Sequence, residues 1–335
     1  MSDPDALVSE IEALGAKLGQ ARQAIATRII GQTDVVDLAL GAILSGGHAL
    51  LMGLPGLGKT LLVDTLATVM GLSANRIQFT PDLMPADILG SEVLETGADG
   101  TRAFRFLEGP VFCQLLMADE INRASPRTQS ALLQAMQERE VTIAGTHRPL
   151  PRPFHVLATQ NPIEQEGTYP LPEAQLDRFL VRIDVAYPDR ATERGILLAT
   201  TGTDIAQAHA VFTPEALIAA QQVVRQMPVG ATVVELILDL VRACRPDGDE
   251  APDIVRRTVA WGPGPRAAQA LMLTARARAL LDGRLAPSAE DVAALARPVL
   301  SHRMALSYAA RAEGAVLDQV IDEVTARVTR TGLAA

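Results

Sequence analysis

The sequence predicts an α/β fold: a mostly parallel sheet flanked by helices, joined to a second, all-helical domain. Three observations predict it. Strand-like and helix-like segments alternate from about residue 48 to residue 200. A glycine-rich loop, Gly53 to Thr60, sits between one such strand and one such helix. Beyond about residue 200 the strand signal disappears and helical periodicity takes over.

The elements follow in order. Leu7, Ile11, Leu14, Leu18 and Ile25 recur at helical spacing, so residues 3–27 read as an amphipathic helix. The segment Arg28-Ile29-Ile30-Gly31-Gln32 interrupts it, and Asp34 to Leu44 resumes a helix. Strands are predicted over 48–52, 76–80, 113–118, 154–159 and 181–185, and helices over 59–70, 126–138, 172–179 and 189–199. Ser125-Pro126 opens its helix with a capping hydroxyl and a proline in the first turn. Two hairpins interrupt the alternation. One pairs Ser91–Glu95 with Arg102–Phe106 through Thr96-Gly97-Ala98-Asp99-Gly100, and the other spans Val141 to Leu150 and turns near Gly145. A linker is expected at Gly202 to His209. Helices then open at Thr213-Pro214, Pro265-Arg266 and Ser288, the last with Asp291 in a capping box. The expected division is an N-terminal helix (1–27), an α/β core (28–202) with hairpins at about 90–107 and 140–151, and a helical domain (205–330).

Bulk properties narrow the function. The chain of 335 residues is 48% hydrophobic and 21% charged, which suits two globular domains. Net charge is −9 and aromatics are 3%, against what an electrostatic or base-stacking nucleic-acid surface needs. No apolar run approaches the roughly 18 residues of a membrane span. Met1-Ser2-Asp3-Pro4-Asp5-Ala6 is acidic and lacks the apolar stretch of a signal peptide, so a cytoplasmic chain is expected. Cys113 and Cys244 lie far apart, and Cys113 falls in an apolar run, which predicts free thiols. His48, His147, His155, His209 and His302 show no ligand spacing.

Gly53-Leu54-Pro55-Gly56-Leu57-Gly58-Lys59-Thr60, followed by Leu61, has the spacing of a phosphate cradle. Glycines let backbone N–H groups converge on an anion, and the helix start adds unpaired donors. Lys59 would reach the β- and γ-phosphates of a nucleotide, and the Thr60 hydroxyl would face Mg²⁺. Lys17 and Lys59 are the only lysines in the chain, so the ammonium at Lys59 is not drawn from a lysine-rich background. Leu115 to Glu120 reads as an apolar strand ending in two carboxylates. In a hydrolytic nucleotide site Asp119 would hold the metal shell and Glu120 would orient the attacking water; alone, two adjacent acids also suit a solvated turn. Phe154 to Pro162 is a strand ending in Asn161, placed to bond a γ-phosphate or the attacking water, or else forming an Asn-Pro turn. Two separated arginines would complete the charge balance at a transferring phosphate, but composition cannot select them among so many.

Together these strings resemble the AAA+ ATPases and, within them, the MoxR family, over about residues 28–330. The most specific stretches are Leu54 to Thr60, Asp119 to Ala124, Ala158 to Pro162, Pro172 to Phe179 and Gly264 to Ala267. The resemblance implies that Gly53 to Thr60 is the Walker A loop, Asp119 and Glu120 the Walker B pair, and Asn161 sensor 1. It implies Arg178 as the arginine finger reaching a neighbouring subunit's nucleotide, and Arg266 as sensor 2 on the helical lid. Arg123 and Arg127 rank behind Arg178 as interface arginines. Ile29, Ile30, Gly31 and Gln32 match the segment lying against adenine. The hairpins match the helix-2 and pre-sensor-1 inserts. The implied activity is ATP hydrolysis with Mg²⁺, in a homo-oligomeric ring, usually a hexamer, with the lid shifting against the core. The implied role is chaperone-like remodelling of a protein client, such as cofactor or metal insertion, with a von Willebrand factor A domain partner. A nucleic-acid machine of the same superfamily and a non-hydrolysing nucleotide switch are the alternatives; the net charge opposes the first and the intact acidic pair the second.

Overall fold

The computed structural model describes residues 4–96, 102–163, 167–202 and 207–332. The chain begins with α1 (Pro4–Ala26) and α2 (Thr33–Leu44), then enters the core as β1 (Ala49–Gly53), α3 (Lys59–Met70), β2 (Ala74–Gln78) and the short α4 (Pro85–Leu89). A hairpin of β3 (Gly90–Thr96) and β4 (Arg102–Glu108) precedes β5 (Leu115–Asp119) and α5 (Pro126–Glu138). A second hairpin, β6 (Glu140–Ile143) and β7 (Thr146–Pro149), precedes β8 (His155–Gln160), α6 (Glu173–Leu176), β9 (Val181–Val185) and α7 (Arg190–Thr200). The remainder comprises α8 (Pro214–Gln226), α9 (Ala231–Ala243), α10 (Asp253–Thr258), β10 (Val259–Trp261), α11 (Pro265–Leu281), α12 (Ala289–Leu300), β11 (Ala305–Leu306), α13 (Tyr308–Ala312) and α14 (Leu317–Gly332).

The central sheet has the order β2-β5-β8-β1-β9 and every pairing is parallel. Its inner strands are near-continuous apolar runs because helices cover both faces; all of β5 is buried. Parallel pairing sets every strand's carboxyl end at one edge of the sheet, and ligand crevices in open α/β sheets form along that edge.

Two expectations need correction. The helix expected over 172–179 closes after one turn, as α6. Beyond it the chain tightens into turns, Arg178 N–H to the Gln175 carbonyl at 3.2 Å and Phe179 N–H to the Leu176 carbonyl at 3.0 Å, and the Arg303 guanidinium takes the carbonyls of Asp177, Phe179 and Leu180 at 3.4, 2.6 and 3.1 Å in place of further helical N–H groups. The helical region beyond residue 207 also holds a short antiparallel pair, Val259 against Leu306. Both strands are too short to show a period in the sequence. The loop expected at Gly97 to Gly100 lies outside the described residues, as do residues 203–206 of the expected linker.

The N-terminal helix packs on its own subunit. Ile11, Leu18, Ala21 and Ile25 join one apolar cluster that also takes in α2, α3, the sheet, α8, α9, α11, α12 and α14. Arg22 fastens that junction: it donates to Asp37 on α2 at 2.7 Å and to Asp282 and the Leu281 carbonyl at the end of α11 at 3.2 and 2.8 Å. Core and helical region thus share a continuous interior. The two hairpins are joined as well, since Arg148 on β7 lies 3.6 Å from Glu92 on β3 and 3.9 Å over the ring of Phe106 on β4.

Candidate functional site

The glycine loop leaves β1 at the carboxyl edge and turns into α3. Gly56 and Gly58 adopt left-handed backbone (φ 83 and 77), and no atom stands within 4 Å of where a Cβ would project from either. Gly58 caps α3 without a side-chain hydrogen bond, so no cap side chain takes up the first N–H groups of the helix, which suits the holding of an anion. Lys59 and Thr60 are the first two residues of that helix. The Lys59 ammonium lies along the loop, donating to the Gly53 and Leu54 carbonyls at 2.5 and 3.3 Å. Burial pushes its pKa below the ordinary lysine value, and Asp119 and Glu120 oppose that shift.

The acidic pair lies at the same edge. Asp119 ends β5 and is 8% exposed. Its Oδ1 accepts the Thr159 hydroxyl at 2.5 Å and its Oδ2 accepts Arg76 at 2.6 Å. The Thr159 oxygen in turn accepts the Glu120 N–H at 2.9 Å, so β8 fixes both acids. Glu120 has left-handed backbone (φ 55), which a residue with a side chain seldom adopts and which is concentrated at functional sites. Its Oε2 accepts Gln78 at 2.9 Å and Arg123 at 3.1 Å. Asn161 follows β8, is 6% exposed, and accepts the Ile163 N–H at 3.2 Å. The Asn-Pro turn is therefore real, and it leaves the Asn161 amide donors to other partners.

A cavity of about 680 Å³ opens beside the loop. Ile29, Ile30 and Gln32 line it with Pro55 to Gly58 and Leu61, and the Gln32 amide donates to the Leu57 carbonyl at 3.2 Å. Gly31 is outside the lining but holds left-handed backbone between two of its members. Tyr187, Pro188, Ile196 and Leu197 complete the wall from the end of β9 and from α7. Sequence reasoning missed these four; for Ile196 and Leu197 the signal was the apolar face of α7, and no pattern marks Tyr187 and Pro188.

Arg178 and Arg266 are elsewhere. They line a second cavity of about 540 Å³ with Gly46, Gly47, His48, Arg139 and Arg303. Gly46 to His48 precede the first residue of β1, and Arg178 to Leu180 precede the first residue of β9. This is the amino edge of the sheet, one strand length from the glycine loop, about 16 Å at the rise of an extended chain. Arg266, second residue of α11, sits 3.6 Å from Asp177 at that edge. Arg127 is exposed on the first turn of α5. The structure thus gathers the loop, Asp119, Glu120 and Asn161 at one edge and both arginines at the other.

The buried histidines serve the framework. His48 accepts the Val156 N–H at 2.9 Å and meets the Met136 carbonyl at 3.2 Å, and His155 donates to the Gly47 carbonyl at 2.8 Å. Cys113 and Cys244 are free and buried, and burial pushes their thiols up to about 11 and about 12. Among the described residues no cluster of three His, Cys, Asp or Glu could hold a metal by itself. The Thr60 hydroxyl and the Asp119 carboxylate are hard oxygen donors, the set magnesium takes when phosphates supply the rest. Among the described residues no helix is long and apolar enough to cross a membrane.

Comparison with known proteins matches this arrangement. Residues 48–181 match the model of the ATPase family associated with various cellular activities (AAA), and residues 252–324 match the AAA lid domain. The chain is 41% identical to Chaperone MoxR1 of Mycobacterium tuberculosis, over 96% of this chain and 83% of that one. It is 31% identical to the protein MoxR of Paracoccus denitrificans, over 96% and 98% of the two chains. A crystal structure from Cytophaga hutchinsonii, described as a candidate ATPase, superposes with a TM-score of 0.87 at 37% identity, over 94% of this chain and 96% of that one.

Proposed function

We propose that this chain, which belongs to the MoxR family of AAA+ ATPases, hydrolyses ATP in pockets shared between copies of itself and uses the turnover to remodel a protein client. One observation carries the shared pocket: the glycine loop and the acidic pair stand at the carboxyl edge of the sheet, and Arg178 and Arg266 at the amino edge. Neither arginine reaches a nucleotide on its own chain. Both present their charge to a nucleotide on a neighbour, so a closed ring, a hexamer in this reading, repeats the same contact at every interface.

Each residue has a role in this reading. The N–H groups of Gly56 to Thr60 hold the phosphates and Lys59 neutralises their outer oxygens. Thr60 and Asp119 hold Mg²⁺, which supplies charge neutralisation across the phosphate oxygens when bound. Glu120 orients the attacking water and takes its proton, and Asn161 fixes the water or the outer phosphate through its amide. The apolar wall of Ile29, Ile30 and Tyr187 takes the base, and Gly31 turns the backbone between Ile30 and Gln32. From the neighbour, Arg178 and Arg266 stabilise the charge that builds on the leaving phosphates.

The continuous interior fastened by α1 supports motion between copies more than motion of the lid on its own core. The 28–202 and 205–330 units then move as one body. The hairpins, tied by Arg148 and exposing the paired Leu94 and Phe104, are the surface we assign to the client. One relative named as a chaperone, MoxR1 of Mycobacterium tuberculosis, supports a remodelling role. We extend it to client maturation or cofactor and metal insertion, in the cytoplasm, with a von Willebrand factor A domain partner. The test is turnover per chain across a dilution series, which falls as copies separate. Turnover per chain that stays constant down to lone protomers contradicts the proposal.

A further inference from the structure

The edge strand β2 contacts both acids of the site. Its residues alternate: Ile77 is buried, while Arg76 and Gln78 share the opposite face. Parallel register sets Arg76 beside Met117 and Gln78 beside Asp119. The Arg76 guanidinium donates to Asp119 Oδ2 at 2.6 Å and to Gln78 Oε1 at 3.2 Å. Because the Gln78 oxygen accepts from Arg76, its amide nitrogen faces the other way, and it donates to Glu120 Oε2 at 2.9 Å.

Asp119 thus has both carboxylate oxygens engaged. Oδ1 takes a neutral hydroxyl from Thr159, and Oδ2 takes a full cation. The Asp119 side chain is 12% exposed and that of Arg76 is 49% exposed, so the guanidinium blocks the oxygen from the solvent side and can swing away into water. A divalent ion approaching Asp119 meets a like charge on the oxygen it needs. Thr159 keeps the carboxylate oriented whether or not Arg76 stays.

We propose that Arg76 is a charge gate on the metal position: it holds Asp119 paired, and it must leave Oδ2 before the carboxylate takes part in holding magnesium. The affinity for the metal is then set on β2 and not by the phosphate loop alone. The inference rests on the nucleotide-site reading above and concerns the control of that site.

The test is ATP affinity of the full chain, followed by a fluorescent nucleotide, over a series of Mg²⁺ concentrations and in EDTA. For Arg76→Ala the Mg²⁺ needed for half-maximal binding falls roughly tenfold, the scale of one charge interaction near a protein surface, while affinity in EDTA is unchanged. Arg76→Lys restores most of the wild-type requirement. Arg76→Gln keeps a neutral donor to Asp119 and follows the alanine variant; it serves as the test if the alanine variant does not fold. An unchanged or raised Mg²⁺ requirement in these variants overturns the proposal. So does a loss of affinity in EDTA, which makes Arg76 a phosphate ligand. A wild-type chain that binds no ATP at any Mg²⁺ concentration instead sinks the nucleotide-site reading itself.

Discussion

Arg266 stands 3.6 Å from Asp177, the residue next to Arg178, although 89 positions separate the two in the chain (266 − 177). This pairing draws an arginine of the helical region to the amino edge of the sheet, beside the arginine of the core. One positive group from the core and one from the helical region therefore line the same cavity, a strand length from the glycine loop of their own chain.

Removing either arginine is expected to stop turnover and spare binding. For Arg178→Ala the loss is about 10³-fold or more, the range of an arginine supplied across an interface. ATP affinity, measured by calorimetry with the same proteins, stays within a few-fold. A large loss of affinity for lone protomers of Arg266→Ala contradicts the trans assignment.

Glu120→Gln keeps the shape of the side chain and removes the base. Turnover is expected to fall by about 10²- to 10⁴-fold, the contribution of a positioned proton acceptor, while ATP still binds. The variant is also the natural trap for a client. Normal phosphate release by this variant moves the water-activating role to another group.

Much of this site is legible in the sequence, for a local reason. The glycine loop, the strand ending in Asp119 and Glu120, and the strand ending in Asn161 are each contiguous, and parallel pairing brings their ends together without further information. Arg266 is different, because its edge depends on how α11 docks against the sheet and no spacing records that. Arg76 and Gln78 are likewise hidden: their alternation with Ile77 shows a strand face, but only the register with β5 brings them to the acids. The early end of α6 depends on Arg303, a residue from the far end of the chain.

Arg303 is 3% exposed in its side chain and supports the turn that carries Arg178. It donates to Asp177 at 2.7 Å and to the Phe179 carbonyl at 2.6 Å. Arg303→Met leaves those acceptors without their cation and is expected to cost about 3 kcal/mol, the lower end for a broken buried pair because Asp177 keeps some access to water. Urea unfolding reads the cost. A variant as stable as the parent shows that the turn holds itself.

Acid is expected to destabilise the fold through the neutral histidines. Burial, the main cause, lowers His48 to about 3 and His155 to about 4. The unfolded chain takes up protons near pH 6.5 and the folded chain does not, so stability is complete above that value and declines as pH falls below it. Each group accounts for about 2 kcal/mol by pH 5. His155→Gln, which preserves a donor for the Gly47 carbonyl, should flatten the slope between pH 6.5 and 5 by about one proton. An identical slope in both proteins assigns the acid sensitivity elsewhere.

The most direct test mixes two inactive chains. Lys59→Ala keeps its arginines and loses its phosphate grip, and Arg178→Ala keeps the grip and loses its arginine. Combined, they form interfaces that hold one intact half from each, and ATP turnover is expected to rise well above the sum of the separate proteins. Turnover no greater than that sum, in mixtures shown to co-assemble, means that each chain cleaves ATP with its own residues alone.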